Sequence, residues 1–319
     1  MVAIIPGSDP SLRSRYVVLG AHFDHLGRST FGAQDPEKAP EIHNGADDNG
    51  SGTVTVMELA RLFRMHPTRR SIALVNFSGE ELGLLGSVYF ADHPPFALDS
   101  VEAMLNFDMV GRLRNDKLLV YGVATATELP GIVNGANTQA PPFKISAIGD
   151  GFGPSDHSSF YAKNVPVLHF FTDVHEDYHR VTDDADKINV AGMARIVGLA
   201  ERIARQLGDR PARLTFVKAA APVASNSSRT GSQASLGTIP DMSATDVAGM
   251  RISGVRGGSP AEVAGIKAGD VIVELAGAPV KDLYSYSDAL YSHQPGETIT
   301  IVVLRGAERL TFKATLGRR

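Results

Sequence analysis

The sequence predicts an α/β protein: a largely parallel mixed sheet sandwiched by helices, followed by a small C-terminal β-rich domain. Three observations carry that prediction. Short apolar runs rich in β-formers are each stopped by Ser, Gly or a polar residue, the pattern of buried strands. Stretches of helical periodicity separate them, as expected where crossover helices link parallel strands. Beyond residue 235 the texture changes to short strands and glycine turns.

Met1–Ile5, ahead of Pro6-Gly7, reads as a strand entered mid-sheet with no basic leader region or cleavage site. The expectation is therefore a chain trimmed of upstream sequence, from a full-length protein that is secreted or periplasmic. Tyr16–Ala21 is a strand running into His22-Phe23-Asp24. A helix follows over Thr53–Met65, with Val54, Met57, Leu59, Leu62 and Phe63 at its apolar positions. Ser71–Phe77 is a second strand, ending in Ser78-Gly79-Glu80-Glu81, and a helix near Leu84–Asp92 leads to the strand Val101–Phe107 and Asp108. Val165–Phe171 is another buried strand, and Val190–Leu207 closes the unit as an amphipathic helix. Ala219–Ser235 is rich in Ala, Ser and Pro without apolar periodicity, which reads as a flexible linker. Domains are thus expected at residues 1–218 and 236–319, joined by 219–235. In the second, strands at Met250–Val255, Val271–Leu275, Thr298–Leu304 and Arg309–Thr315 accompany a helix at Leu283–Leu290.

Composition narrows the function classes. The 319 residues fit about two domains at roughly 150 residues each. A net charge of −4 gives no electrostatic case for nucleic acid or an anionic membrane, and no apolar run has the length of a membrane span. With no cysteine there is neither disulfide nor thiolate zinc site, so any metal must be held by His and carboxylates.

Acids at the mouth of a buried strand are costly unless a cation holds them. Taken singly, each motif has an ordinary explanation. Asn44-Gly-Ala-Asp47-Asp48-Asn-Gly-Ser-Gly52 resembles a helix N-cap, Glu80-Glu81 an acidic helix start, and Asp108 a strand-end turn. Together, five His- or acid-bearing loops at strand ends point to a metal site at the edge of an open sheet. His22 and Asp24 share a face if strand alternation persists, so Asp24 is expected to orient His22 through its second nitrogen.

The segments AHFDHLG, GADDNGSG, GEELGLLGS, NFDMVGR and HEDYHRVTDD, in this order over residues 16–208, resemble the co-catalytic two-zinc aminopeptidases, the family of aminopeptidase Y and bacterial leucyl aminopeptidases. The resemblance implies a zinc-exopeptidase fold with two zinc ions per chain. It implies that His22 and Asp108 bind one ion, Glu81 and His179 the other, and that Asp47 bridges them. It makes Glu80 the general base, Asp24 and Asp183 the acids behind His22 and His179, and Tyr178 a holder of the substrate carbonyl. A cis Asp47–Asp48 peptide bond is implied as well. Peptide hydrolysis at neutral pH needs an activated water, a polarised carbonyl and a carboxylate that moves the proton, which explains paired Glu residues with separate tasks.

His175-Glu176-Asp177-Tyr178-His179 also spells HExxH, the helical signature of one-zinc proteases. That motif needs a helix, and here it follows a strand almost directly and reads as loop. His66, His93 and His293 stand at helix ends, whereas His25, His43, His157 and His169 fall near the expected site or sheet. The adjacent Ser155-Asp156-His157 is read as pocket wall rather than a triad. Residues 236–317, through SPA…AGI-KAGDVI, resemble a PDZ domain of the bacterial protease-associated kind. Such a domain implies peptide or protein C-termini as partners, with Leu236, Gly237 and Ile239 matching its carboxylate loop. The function expected is removal of N-terminal residues from peptides with a free N-terminus. The alternatives are a glutaminyl-cyclase-like one-zinc enzyme and a non-catalytic binding protein led by the PDZ domain.

Overall fold

Seven strands frame the first unit: β1 (Val2–Ile5), β2 (Tyr16–His22), β3 (Ser71–Phe77), β4 (Val101–Phe107), β5 (Lys117–Tyr121), β6 (Lys144–Ile148) and β7 (Val167–Phe171). They come from a computed structural model that describes residues 1–29, 33–153, 155–218, 234–240, 248–255, 258–281, 285–286, 289–290 and 292–318. The chain divides into two units, Met1–Ala220 and Ala221–Arg319. Of the linker expected at 219–235, all but the last two residues lie outside the described ones.

The sheet order is β1-β3-β2-β4-β7-β5-β6. The run β3-β2-β4-β7 is parallel, while β1 and β5 join it antiparallel. Its central strands are apolar on both faces because helices cover both. Val17, Leu19 and Ala21 of β2 pack in one core with α1 (Gly52–Met65) and α5 (Val190–Asp209), through Leu59, Phe63, Leu199 and Ile203. Val18, Ala73 and Met104 point to the opposite core, shared with Phe90 of α2 (Leu85–Asp92) and Phe160 of α4 (His157–Tyr161). The parallel run brings the C-terminal ends of β2, β3 and β4 to one edge of the sheet.

Sequence periodicity assigns no element between 109 and 164, yet the structure places β5, α3 (Leu129–Ala136), β6 and α4 there. Each is short. Strand β6 is half-buried at best, so its apolar residues mark no core face.

The second unit contains β8 (Ala234–Ser235), β9 (Thr238–Pro240), β10 (Met250–Val255), α6 (Pro260–Ala264), β11 (Val271–Leu275), β12 (Ala278–Pro279), β13 (Thr298–Arg305), β14 (Glu308–Thr315) and β15 (Gly317–Arg318). It has its own core, with Ile252, Ile272, Leu275, Ile301 and Val303 at its centre. Ser259 caps α6 by accepting from Glu262 N at 3.3 Å, and Pro260 takes the first helical position. Of the helix expected at Leu283–Leu290, residues 285–286 and 289–290 are described and are helical. No described helix is long and apolar enough to cross a membrane.

The element that matters most for the site is the tight turn Ala46–Ser51 ahead of α1. It is laced to the loop after β4. Asn49 Nδ2 donates to Phe107 O at 2.9 Å, Val110 N donates to Ser51 Oγ at 2.9 Å, and Gly111 N donates to Asp47 Oδ1 at 2.6 Å. Gly52 permits the approach, because a Cβ there would lie 2.2 Å from Phe107 O and 2.4 Å from Asn49 Oδ1. Gly52→Ala should therefore push the turn off the end of β4. The expected cost is about 1–3 kcal/mol of unfolding free energy, measured by urea titration, although alanine is the better helix former. A variant as stable as the parent would show that the turn and strand are not clamped at this point.

Candidate metal centre

Each side chain of the centre is delivered by the end of an element. His22 is the last residue of β2, Asp108 follows β4, and Glu80 and Glu81 follow β3. Asp48 stands in the turn before α1, and His179 lies in the loop after β7. His22, Asp48, Glu81, Asp108 and His179 are all buried. His22 Nε2 lies 3.4 Å from Asp48 Oδ1 and 3.5 Å from Asp108 Oδ1. His179 Nε2 lies 3.2 Å from both Asp48 Oδ2 and Glu81 Oε2. Asp48 thus turns one oxygen to each histidine. Ligand atoms of His22, Glu80 and Glu81 also come within 4.8 Å of one another.

The charge balance is acidic. Burial alone would lower the pKa of His22, but Glu80, Asp108 and Asp48 outweigh it and hold the imidazole well above its ordinary value. His179 is likewise pushed up to about 11, against burial, by Asp48 and Glu81. Burial drives Glu80 well above the usual carboxylate range, with Glu81 and Asp108 adding to it against the pull of His22. Burial and the surrounding carboxylates keep the Tyr178 phenol protonated. Four carboxylates around two imidazoles demand compensation, which protons or divalent cations can supply. The donors are nitrogen and oxygen only, and His22 Nε2 has no hydrogen-bond partner.

The structure places several of the expected residues differently. Sequence reading assigns the bridging place to Asp47, but Asp48 stands between the histidines. Asp47 is turned away, its Oδ1 accepting from Gly111 N and its Oδ2 lying 3.1 Å from His175 Nε2. The cis peptide bond is Asp48–Asn49, not Asp47–Asp48. The reason is tertiary: Asp183 Oδ2 accepts from both Asp47 N (2.8 Å) and Asp48 N (3.0 Å), which sets the direction of the turn. Asp183 therefore backs the acidic turn, not His179, while its other oxygen accepts from Arg112 at 2.9 Å. Behind His22, the group nearest Nδ1 is the Asp24 carbonyl at 3.1 Å, and the Asp24 carboxylate is 3.8 Å away. That carboxylate instead accepts from Glu80 N at 3.3 Å. The HExxH segment is a turn, with His179 in the left-handed region at φ 55°.

Tyr178 stacks on His179 with ring centroids 3.9 Å apart. In the second unit, Leu236 is buried, Gly237 takes a left-handed φ of 77°, and Ile239 lies in β9, paired with Gly254.

Some supporting residues escape sequence reasoning. His25 Nδ1 lies 2.8 Å from Glu81 Oε1; its signal was a second histidine just past a strand end. Ser155 donates to Asp108 Oδ2 at 2.7 Å from the segment read as pocket wall. Asp35 has no sequence signal. It binds His43 Nε2 at 2.8 Å and accepts from Val181 N at 3.2 Å, while Gln34 N donates to His179 O at 2.9 Å. The loop before the acidic turn thereby clamps the loop that carries His179.

Comparison with known proteins finds a family for each of the two units. The model of peptidase family M28 matches residues 1–204, and that of the PDZ domain matches residues 225–316. Aminopeptidase YwaD of Bacillus subtilis is 30% identical over 154 residues, covering 46% of this chain and 34% of that protein. Leucine aminopeptidase 2 of Trichophyton equinum is 28% identical over 183 residues, covering 54% of this chain and 33% of its own. A probable zinc metalloprotease of Pyrenophora tritici-repentis is 40% identical over 104 residues, covering 33% and 20%. The chain thus spans about a fifth to a third of the length of these curated relatives. Among solved structures, BSAP, a zinc aminopeptidase from Bacillus subtilis, shares the fold with a TM-score of 0.54 at 24% identity, over 66% of this chain and 50% of that one. The LapA aminopeptidase of Legionella pneumophila aligns with a TM-score of 0.52 at 25% identity, over 66% and 55%.

The two aspartates of the turn should separate in a metal-binding assay. Asp48→Ala is expected to abolish tight divalent-metal binding, measured as metal content after dialysis. Asp47→Asn is expected to keep the metal and lower the unfolding midpoint, because it loosens the bond to Gly111 N. Metal lost from the Asp47 variant and retained in the Asp48 variant would restore Asp47 to the bridge.

Proposed function

Because this chain belongs to peptidase family M28, we propose that it is a zinc-dependent aminopeptidase, a hydrolase that removes N-terminal residues from peptides. The observation that carries the reading is the division of Asp48, one oxygen facing His22 and the other His179. Two histidine–carboxylate sets that share a carboxylate suit two zinc ions. His22, Asp108 and Asp48 would hold one, and Asp48, Glu81 and His179 the other. The unpartnered His22 Nε2 and the acidic surplus support the fit. Zinc, when bound, lowers the pKa of a coordinated water to about 7 and polarises a carbonyl.

The remaining chemistry belongs to side chains. Glu80 adjoins Glu81 and clusters with it and His22 within 4.8 Å; of these acids we assign to Glu80, as the family resemblance implies, the acceptance of the proton of the attacking water. It then returns that proton to the departing amine. Asp24 holds the Glu80 amide, which fixes where the carboxylate starts. Tyr178, protonated and stacked on His179, offers its hydroxyl to the substrate carbonyl oxygen as charge develops there. The surrounding carboxylates attract the ammonium group of a free N-terminus, which favours exopeptidase over internal cleavage. In the second unit, β9 ends the sheet among the described residues and offers an edge for strand addition. We assign to Leu236, Gly237 and Ile239 the reception of a peptide C-terminus there.

The adjacent glutamates provide the test. The parent chain is expected to hold two zinc ions and to hydrolyse members of an aminoacyl-nitroanilide panel. Glu80→Gln should keep both ions and lose about 10²–10⁴-fold in kcat. Glu81→Gln should lose one ion, with partial rescue by excess zinc. Zinc lost from the Glu80 variant, with a metal-replete but inactive Glu81 variant, would exchange their roles. Full activity with a single tight ion would overturn the bridged centre. A zinc-loaded chain that cleaves no member of the panel would overturn the aminopeptidase reading.

A further inference from the structure

We infer that His25 is a positioning residue that locks the Glu81 carboxylate in one orientation, with Oε2 turned to His179 and Oε1 held by the His25 imidazole. The inference rests on the metal-centre reading above. The His25 side chain is 7% exposed and meets the His179 ring edge-on, with centroids 5.6 Å apart. Its Nδ1 lies 2.8 Å from Glu81 Oε1 but 3.9 Å from Asp48 Oδ2, so Glu81 is its partner. Glu81 Oε2 stands 3.2 Å from His179 Nε2. An ionised carboxylate only accepts, so the His25 nitrogen facing it must carry the proton.

The backbone makes room for this ring. Gly45 has φ 63°, and a Cβ there would fall 2.4 Å from His25 Cγ, so no other residue type fits beside it. The neighbouring Asp24 accepts from Glu80 N at 3.3 Å. Residues 24 and 25 thus grip consecutive residues of the loop after β3, one by its amide and the other by its carboxylate. A carboxylate with one oxygen already engaged offers a metal a single, fixed donor, and outer hydrogen bonds of this kind tune the ligand.

The test titrates zinc against a chromophoric chelator with the full chain and three variants. In asparagine the amide nitrogen falls close to the position of His Nδ1, so His25→Asn keeps the donor and His25→Ala removes it. His25→Ala should weaken one of the two sites about 10–100-fold and leave the other unchanged. His25→Asn should bind both ions as the parent does. Where circular dichroism shows that the alanine variant fails to fold, His25→Gln replaces it; its amide sits one bond farther out and should bind as weakly as alanine is expected to. Unchanged affinity without the donor would overturn the inference. Equal weakening in a folded His25→Asn variant would also overturn it, since the ring would then act as a ligand or as packing. A parent chain that binds no zinc would instead overturn the metal-centre reading itself.

Discussion

Mutual repulsion among Asp48, Glu80, Glu81 and Asp108 is the constraint to which the rest of the first unit answers. Ligand atoms of Glu80 and Glu81, of Asp48 and Glu81, and of Asp48 and Asp108 lie within 4.8 Å of each other. Each charged pair at that spacing costs about 3–4 kcal/mol at an effective dielectric near 20. Left alone, the loops would swing apart into water. They are held by hydrogen bonds: Asp183 on two backbone amides of the acidic turn, Ser155 on Asp108, and Asp24 on the Glu80 amide. A buried sheet supplies the rigid platform, because strands packed on both faces cannot shift to relieve the strain.

Strands β2, β3 and β4 were legible because parallel strands buried on both faces must be apolar throughout, and such runs are conspicuous. The polar residue that ends each run was legible for the same reason. Of four further elements between residues 109 and 164, the edge strand β6 and the short helices leave no continuous apolar signal, while β5 has only the three-residue buried run Leu118–Val120. The chemistry-bearing loops could be grouped from sequence because each adjoins the end of a strand or the start of a helix.

The direction of a side chain inside a tight turn was not legible. Asp47 and Asp48 are chemically identical neighbours, and strand or helix periodicity has no hold on a turn whose φ and ψ at Asp48 and Asn49 leave the helical region. What decides between them is Asp183, 135 positions beyond Asp48 in the chain, together with the Gly111 amide that captures Asp47. The same limit applies to Asp183, whose place in a His-Arg-Val-Thr-Asp segment suggested the histidine but whose carboxylate faces the turn. Asp35 shows the limit most plainly: its partners, His43 and Val181, become visible only when two loops are laid together.

The shared carboxylate also has a temporal aspect. His22, Asp48 and Asp108 precede His179 and Asp183 by at least 71 residues, the separation of Asp108 and His179. At a synthesis rate of about 5–20 residues per second, the first histidine–carboxylate set exists seconds before the second can be completed. During that interval strands β2, β3 and β4 can already pair, but the turn bearing Asp48 has no Asp183 to hold its amides. A nascent chain therefore presents half of the centre on an unbraced hinge, and completion waits for the loop after β7 to emerge.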